Sequence, residues 1–155
     1  MRLNLGSGQY PLDGWVNVDA FCEAADLRVN IIRADFSAYE ITAVRMSHVL
    51  EHISWRETVP LLERIRSWMV PGGVLTVEVP NMGRIMALGT KHPLWFKYVY
   101  GDQSHPGEYH LAGFTKSMLI DALENAGWQE VMVRRFESGH KGREGMPCLE
   151  AVAKA

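Results

Sequence analysis

Between Ser54 and Pro80 the chain reads as an amphipathic helix, an abrupt stop and an apolar strand, and this unit restricts the fold more than any other stretch. Leu61, Leu62, Ile65, Trp68 and Met69 fall on one helical face, the stripe a helix needs to pack on a core. Ser54 and Glu57 have capping-box spacing. Pro60 is tolerated only in a first turn, so it also allows a later start with Thr58 or a neighbour as cap. Pro71-Gly72-Gly73 ends the helix. Gly73-Val74-Leu75-Thr76-Val77-Glu78-Val79 is then a strand rich in β-branched residues, stopped by Pro80.

The alternation recurs on both sides. Leu3-Asn4-Leu5 is a short strand broken by Gly6-Ser7-Gly8, and Trp15-Val16-Asn17-Val18-Asp19 alternates apolar with polar residues and ends on a carboxylate. Val29-Asn30-Ile31-Ile32 leads into Ala34-Asp35, and Ala43-Val44-Arg45-Met46 into Ser47-His48. A second helix starts at Thr115, turns Met118, Leu119, Ala122, Leu123 and Ala126 inward, and ends at Gly127. Glu130 to Phe136 and Cys148 to Ala153 form a closing pair of strands around an exposed loop, Ser138 to Pro147. Strands alternating with helices require a parallel sheet covered on both faces. The expected fold is therefore α/β: one Rossmann-like, doubly wound, mostly parallel sheet with an antiparallel strand near one edge, spanning residues 1–155 as a single domain. Residues 82–113, rich in Gly, His, Pro and aromatics, lack periodicity and read as an inserted loop or lid. Within them Trp95 to Tyr100 reads as the packing of an inserted helix.

Composition narrows the function classes. A formal charge of −2, with basic residues grouped only at Arg134–Arg135 and Lys141–Arg143, argues against a nucleic-acid partner. No apolar run approaches the roughly 18 residues that cross a bilayer, and Met1 to Gly6 reaches glycine too early for a signal peptide. Cys22 and Cys148 stand far apart without CxxC spacing, as ordinary thiols of a reducing, cytoplasmic compartment do.

In an open α/β sheet, ligands sit at the carboxyl ends of the strands where the strand order reverses. Four successive strand ends carry the residues such a ligand needs. Gly6-Ser7-Gly8, after Leu5, lets backbone N–H groups approach closely. Asp19, followed by Ala20, can accept both hydroxyls of a ribose. Asp35 can accept from an exocyclic amine beside Phe36, a ring able to pack on a base. Ser47-His48 stands at the expected switch point.

Leu3-Asn4-Leu5-Gly6-Ser7-Gly8, Gly14-Trp15-Val16-Asn17-Val18-Asp19, Ser47-His48-Val49-Leu50-Glu51-His52-Ile53 and Val70-Pro71-Gly72-Gly73 resemble class I S-adenosylmethionine-dependent methyltransferases. The likeness is to a compact branch with "GWxNxD" and "HVLEHI" motifs, and Gly107 to Phe114 with Ala126-Gly127-Trp128 resembles its tail. The resemblance implies that Gly6 and Gly8 line the methionine part of S-adenosyl-L-methionine and Asp19 holds its ribose. It further implies that Asp35 and Phe36 flank the adenine, and that Ser47 and His48 lie near the sulfonium. Two departures matter. Tyr10 stands where the wider class often has a third glycine, and Gln9 to Gly14 is too short for a first helix. Cover for the cofactor could then come from a second copy in a homodimer.

The expected acceptor is a hydroxyl or amine on a small molecule or glycan. His110 is the candidate general base, since a neutral imidazole can take a proton near pH 7, and His48 is a second catalytic candidate. Glu51 and His52 read as helix-start polarity. The set His48, His52, His105 and His110 is not expected to bind metal. Two rival readings are a non-catalytic scaffold that binds S-adenosylmethionine and a nucleotide-binding oxidoreductase; the latter lacks the third glycine.

Overall fold

The computed structural model describes residues 1–139 and 144–155; the basic group at Lys141 and Arg143 and part of the expected 138–147 loop lie outside them. Seven strands form one sheet: β1 (Arg2–Leu5), β2 (Val16–Asp19), β3 (Leu27–Arg28), β4 (Ile41–Ser47), β5 (Met69–Pro80), β6 (Gln129–Glu137) and β7 (Pro147–Lys154), in the order β3-β2-β1-β4-β5-β7-β6. The first five are parallel, and β7 runs antiparallel to both its neighbours. The strand order reverses between β1 and β4, where the expected switch point lies.

The third strand is Leu27–Arg28 and not Val29–Ile32. Asn30 is the reason. Its side-chain oxygen accepts the Ile32 N–H at 2.9 Å, and its carbonyl accepts from Arg33 and Ala34. That Asx-type turn ends the strand early. Helix α1 (Thr58–Trp68) begins after a turn in which the Ser54 carbonyl accepts the Glu57 N–H, so Pro60 falls in its first turn. No capping box forms, and Glu57 occupies the cap without a side-chain bond. Of the remaining helices, α2 (Met82–Leu88) and α3 (Trp95–Tyr100) lie in the inserted segment. Helix α4 (Lys116–Asn125) follows, with the Thr115 hydroxyl accepting the Met118 N–H. Gly127 closes it at φ +83°. Leu119 and Leu123 are buried along one line of α4, whereas Met118, a step off that line, is exposed rather than inward.

The sheet has two unlike faces. On one, Val18, Leu5, Met46, Val77, Ala151 and Val133 stand in register across six strands, packed with Leu61, Leu62, Ile65 and Trp68 of α1 and Leu119 and Leu123 of α4. On the other, Asn17, Asn4, Arg45 and Thr76 form one row, and Ser47, Glu78, Glu150 and Arg134 the next. Among the described residues, helices pack on this second face over β6 and β7, where Ile85, Trp95 and Tyr98 meet Met146, Cys148 and Phe136. Over β1 and β2 the cover is polar and local. Asn17 Nδ2 donates to the Leu12 and Trp15 carbonyls and to Asp26, while its Oδ1 accepts from Leu12 N–H and Asn4 Nδ2. Asn17 thereby does by hydrogen bonding what a first helix does elsewhere by burial. No helix among the described residues is long and apolar enough to cross a membrane.

Candidate active site

The carboxyl ends of β1, β2 and β4 open onto a cavity of about 730 Å³. Gly6 turns the chain out of β1 at φ +67°, and a Cβ there would stand 2.3 Å from a Val49 methyl carbon, so the turn admits only glycine. Gly8 N–H donates to Asp19 Oδ2 at 3.0 Å, and Asp19 Oδ1 accepts from Phe21 and Cys22 N–H at 2.8 Å each. Asp19 thus stitches the glycine loop to the loop after β2. A carboxylate has about four acceptor sites, so three backbone bonds leave it capacity for a further donor from the cavity.

Gly6, Ser7, Gly8, Asp19, Ala20, Ser47 and His48 all line the cavity, as the sequence suggests. Leu5 does not; it is fully buried in the core below. Asp35 and Phe36 do not line it either. Asp35 caps its own turn through the Ser37 N–H at 2.9 Å, the bond that holds its carboxyl below the usual aspartate range. Phe36 packs edge-on against Trp68 at 5.3 Å within the core. Asn30, Ile31 and Ile32, in the turn that ends β3, line the cavity on that side instead.

His48 leaves β4 in a left-handed conformation, φ +55°, which is costly for a non-glycine residue and concentrates at functional sites. Its Nδ1 lies 3.0 Å from Glu51 Oε1 and its Nε2 3.8 Å from Cys148 Sγ, with the side chain 1% exposed. The ring is therefore almost wholly buried and held at both nitrogens where β4 meets the cavity. Glu51 is buried on the short 3-10 turn Leu50–His52. Burial alone would raise its carboxyl; the His48 hydrogen bond and the charges of His48, His52 and His110 outweigh that and hold it at about 2. The Glu51 carbonyl accepts from Leu111 and Ala112 N–H, which lays the end of the inserted segment against this turn.

That segment roofs the cavity. Gly101 (φ +83°) and Tyr109 form a bridge so close that a Cβ on Gly101 would meet the Glu108 carbonyl oxygen at 1.8 Å. Phe21 stands 5.1 Å from the His105 ring and lies against Gly107, joining roof to floor. His110 lines the cavity, with Nδ1 3.1 Å from the Tyr98 carbonyl, and His52 Nδ1 lies 3.1 Å from the Tyr109 carbonyl. The two rings meet edge to face at 4.9 Å. The grouping of Glu51, His52 and His110 escaped the sequence reading. A signal was present in His48-Val49-Leu50-Glu51-His52, two imidazoles four residues apart with a carboxylate between them.

No family model and no curated protein matches the sequence. Solved structures do match. A methyltransferase from Methanosarcina mazei described as S-adenosylmethionine-dependent superposes with TM-score 0.72 at 14% identity, over 99% of this chain and 91% of that one. One from Archaeoglobus fulgidus gives 0.68 at 18%, over 99% and 85%. The 1,6-didemethyltoxoflavin-N1-methyltransferase of Burkholderia thailandensis, solved with bound 1,6-didemethyltoxoflavin and S-adenosylhomocysteine, gives 0.67 at 16%, over 99% and 69%. Five further matching chains are spanned by this one over only 22% to 57% of their length. At such identities the likeness is one of fold.

Proposed function

We propose that the cavity binds S-adenosyl-L-methionine and that the protein transfers its methyl group to a hydroxyl or amine of a small molecule or glycan. The observation carrying this reading is the convergence of bare backbone at Gly6–Gly8 with the Asp19 carboxylate at adjacent strand ends, beside the point where the strand order reverses. In this reading the glycine loop receives the methionine moiety and Asp19 takes a ribose hydroxyl. Asn30, Ile31 and Ile32 enclose the adenine in place of Asp35 and Phe36. A sulfonium carries its own activation, so the protein has only to align donor and acceptor and exclude water. The roof built from residues 97–110 suits both tasks. His110, partly exposed on that roof, remains the group placed to receive an acceptor proton.

The test is calorimetric titration of S-adenosylhomocysteine into the full chain and its Asp19 variants. Asp19→Ala should weaken binding by about 1–3 kcal/mol, the worth of a hydrogen bond to a charged group. Asp19→Asn, which preserves the shape of the loop, should weaken it less. Wild-type affinity in both variants overturns the ribose assignment, and binding of NAD in place of S-adenosylhomocysteine overturns the methyl-donor reading.

A further inference from the structure

We infer that Glu51, His52 and His110 form a binding site for one first-row divalent transition ion on the wall of the cavity. A carboxylate oxygen of Glu51 and one ring nitrogen from each histidine lie within 4.8 Å of one another. Each group is oriented from behind. His52 Nδ1 faces the Tyr109 carbonyl and His110 Nδ1 the Tyr98 carbonyl, both at 3.1 Å, which puts a proton on Nδ1 of each ring and makes Nε2 the nitrogen for an ion. Backbone carbonyls are among the outer-shell partners that metal-bound imidazoles use.

Glu51 supplies a second, independent observation. Its Oε1 accepts from His48, but Oε2 has no hydrogen-bond partner among the described residues, although Glu51 is only 1% exposed. An unpaired buried carboxylate oxygen is costly, and a cation shared with two imidazoles removes the cost. Two nitrogens and one oxygen suit zinc, cobalt, iron or manganese; calcium and magnesium prefer all-oxygen sites. Ligand atoms about 2.1 Å from a tetrahedral ion sit about 3.4 Å apart, so capture draws the three groups inward, a movement that rotation of the two partly exposed rings can supply. Three protein ligands leave a coordination position open. Because His52 and His110 line the cavity, that position faces whatever ligand occupies it. With the ion bound, His110 serves as its ligand and no longer as the base for an acceptor proton.

The full chain, stripped by a chelator and without cofactor, is titrated with Zn²⁺ by calorimetry and with Co²⁺ by visible absorption. The expected result is one ion per chain, weakened about tenfold or more by His52→Ala, by His110→Ala and by the shape-preserving Glu51→Gln. The absence of stoichiometric binding overturns the site. So does a folded His52→Ala/His110→Ala variant that binds as tightly as wild type, since the ion then sits on other histidines such as His92 or His105. Should the variants fail to fold, nitrogen NMR of the wild-type imidazoles decides. Zn²⁺ should shift Nε2 of His52 and His110, and unshifted signals overturn the site. Titrating S-adenosylhomocysteine separately keeps a failure here distinct from a failure of the methyl-donor reading.

Discussion

The two faces of the sheet solve one problem by different means. Each strand of a parallel sheet must hide both sides, and such strands usually do so with unbroken apolar runs beneath helices. Here one face follows that pattern, with an apolar row across six strands beneath α1 and α4. The other carries amides and charges that satisfy one another: Asn17 with Asn4 and Asp26, Glu78 with Arg45 and Ser47, Arg134 with Glu150. The difference teaches that a Rossmann-like sheet can dispense with helices over β1 and β2 where a connected polar network replaces them.

The contrast can be broken in order of expected effect. Leu62→Ala, at a fully buried position of the helical face, should cost about 2–5 kcal/mol in urea denaturation. Asn17→Ala should cost about 2–3 kcal/mol by stranding several of its partners, and Asn17→Leu should fare no better. A stable Asn17→Leu protein would show that this face needs only bulk. Arg134→Ala should leave the urea midpoint almost unchanged, because that ion pair reaches the surface. The smallest effect is pH-dependent. The Asn17 hydrogen bonds hold the Asp26 carboxyl below its ordinary 3.8. Its contribution is thus complete above that value and disappears as pH falls through the depressed folded one. The stability difference between wild type and Asp26→Asn should be flat near neutrality and shrink below about pH 4; a difference that grows on acidification refutes the assignment.

Much of this was legible in the chain. The helix Leu61–Trp68 and the Gly73–Val79 run lie where their spacing places them, as does the Thr115 cap, because each is decided locally. The glycine loop and Asp19 were legible for the same reason. The Pro-Gly-Gly stop does not lie where expected, since the helix ends before Met69 and Pro71-Gly72-Gly73 is part of β5, which starts at Met69. Asp35 and Phe36 were misplaced because one side-chain hydrogen bond at Asn30 ends β3 early and redirects the backbone beyond it. The polar alternation Asn4, Asn17, Arg45, Glu78 was visible, but which face it served depended on helices elsewhere. Glu51 and His52 looked like a helix start because His110, their neighbour in space, arrives on a segment without periodicity.

Asn17 has one more consequence. A single side chain fastens β1, the 12–15 connection and the chain at Asp26, so these pieces have no independent way to loosen. This corner should open as one cooperative unit, its amides exchanging with solvent deuterium at a shared rate. The end of the cavity beneath β1 and β2 would then fluctuate all together or stay shut, with no partial fraying between.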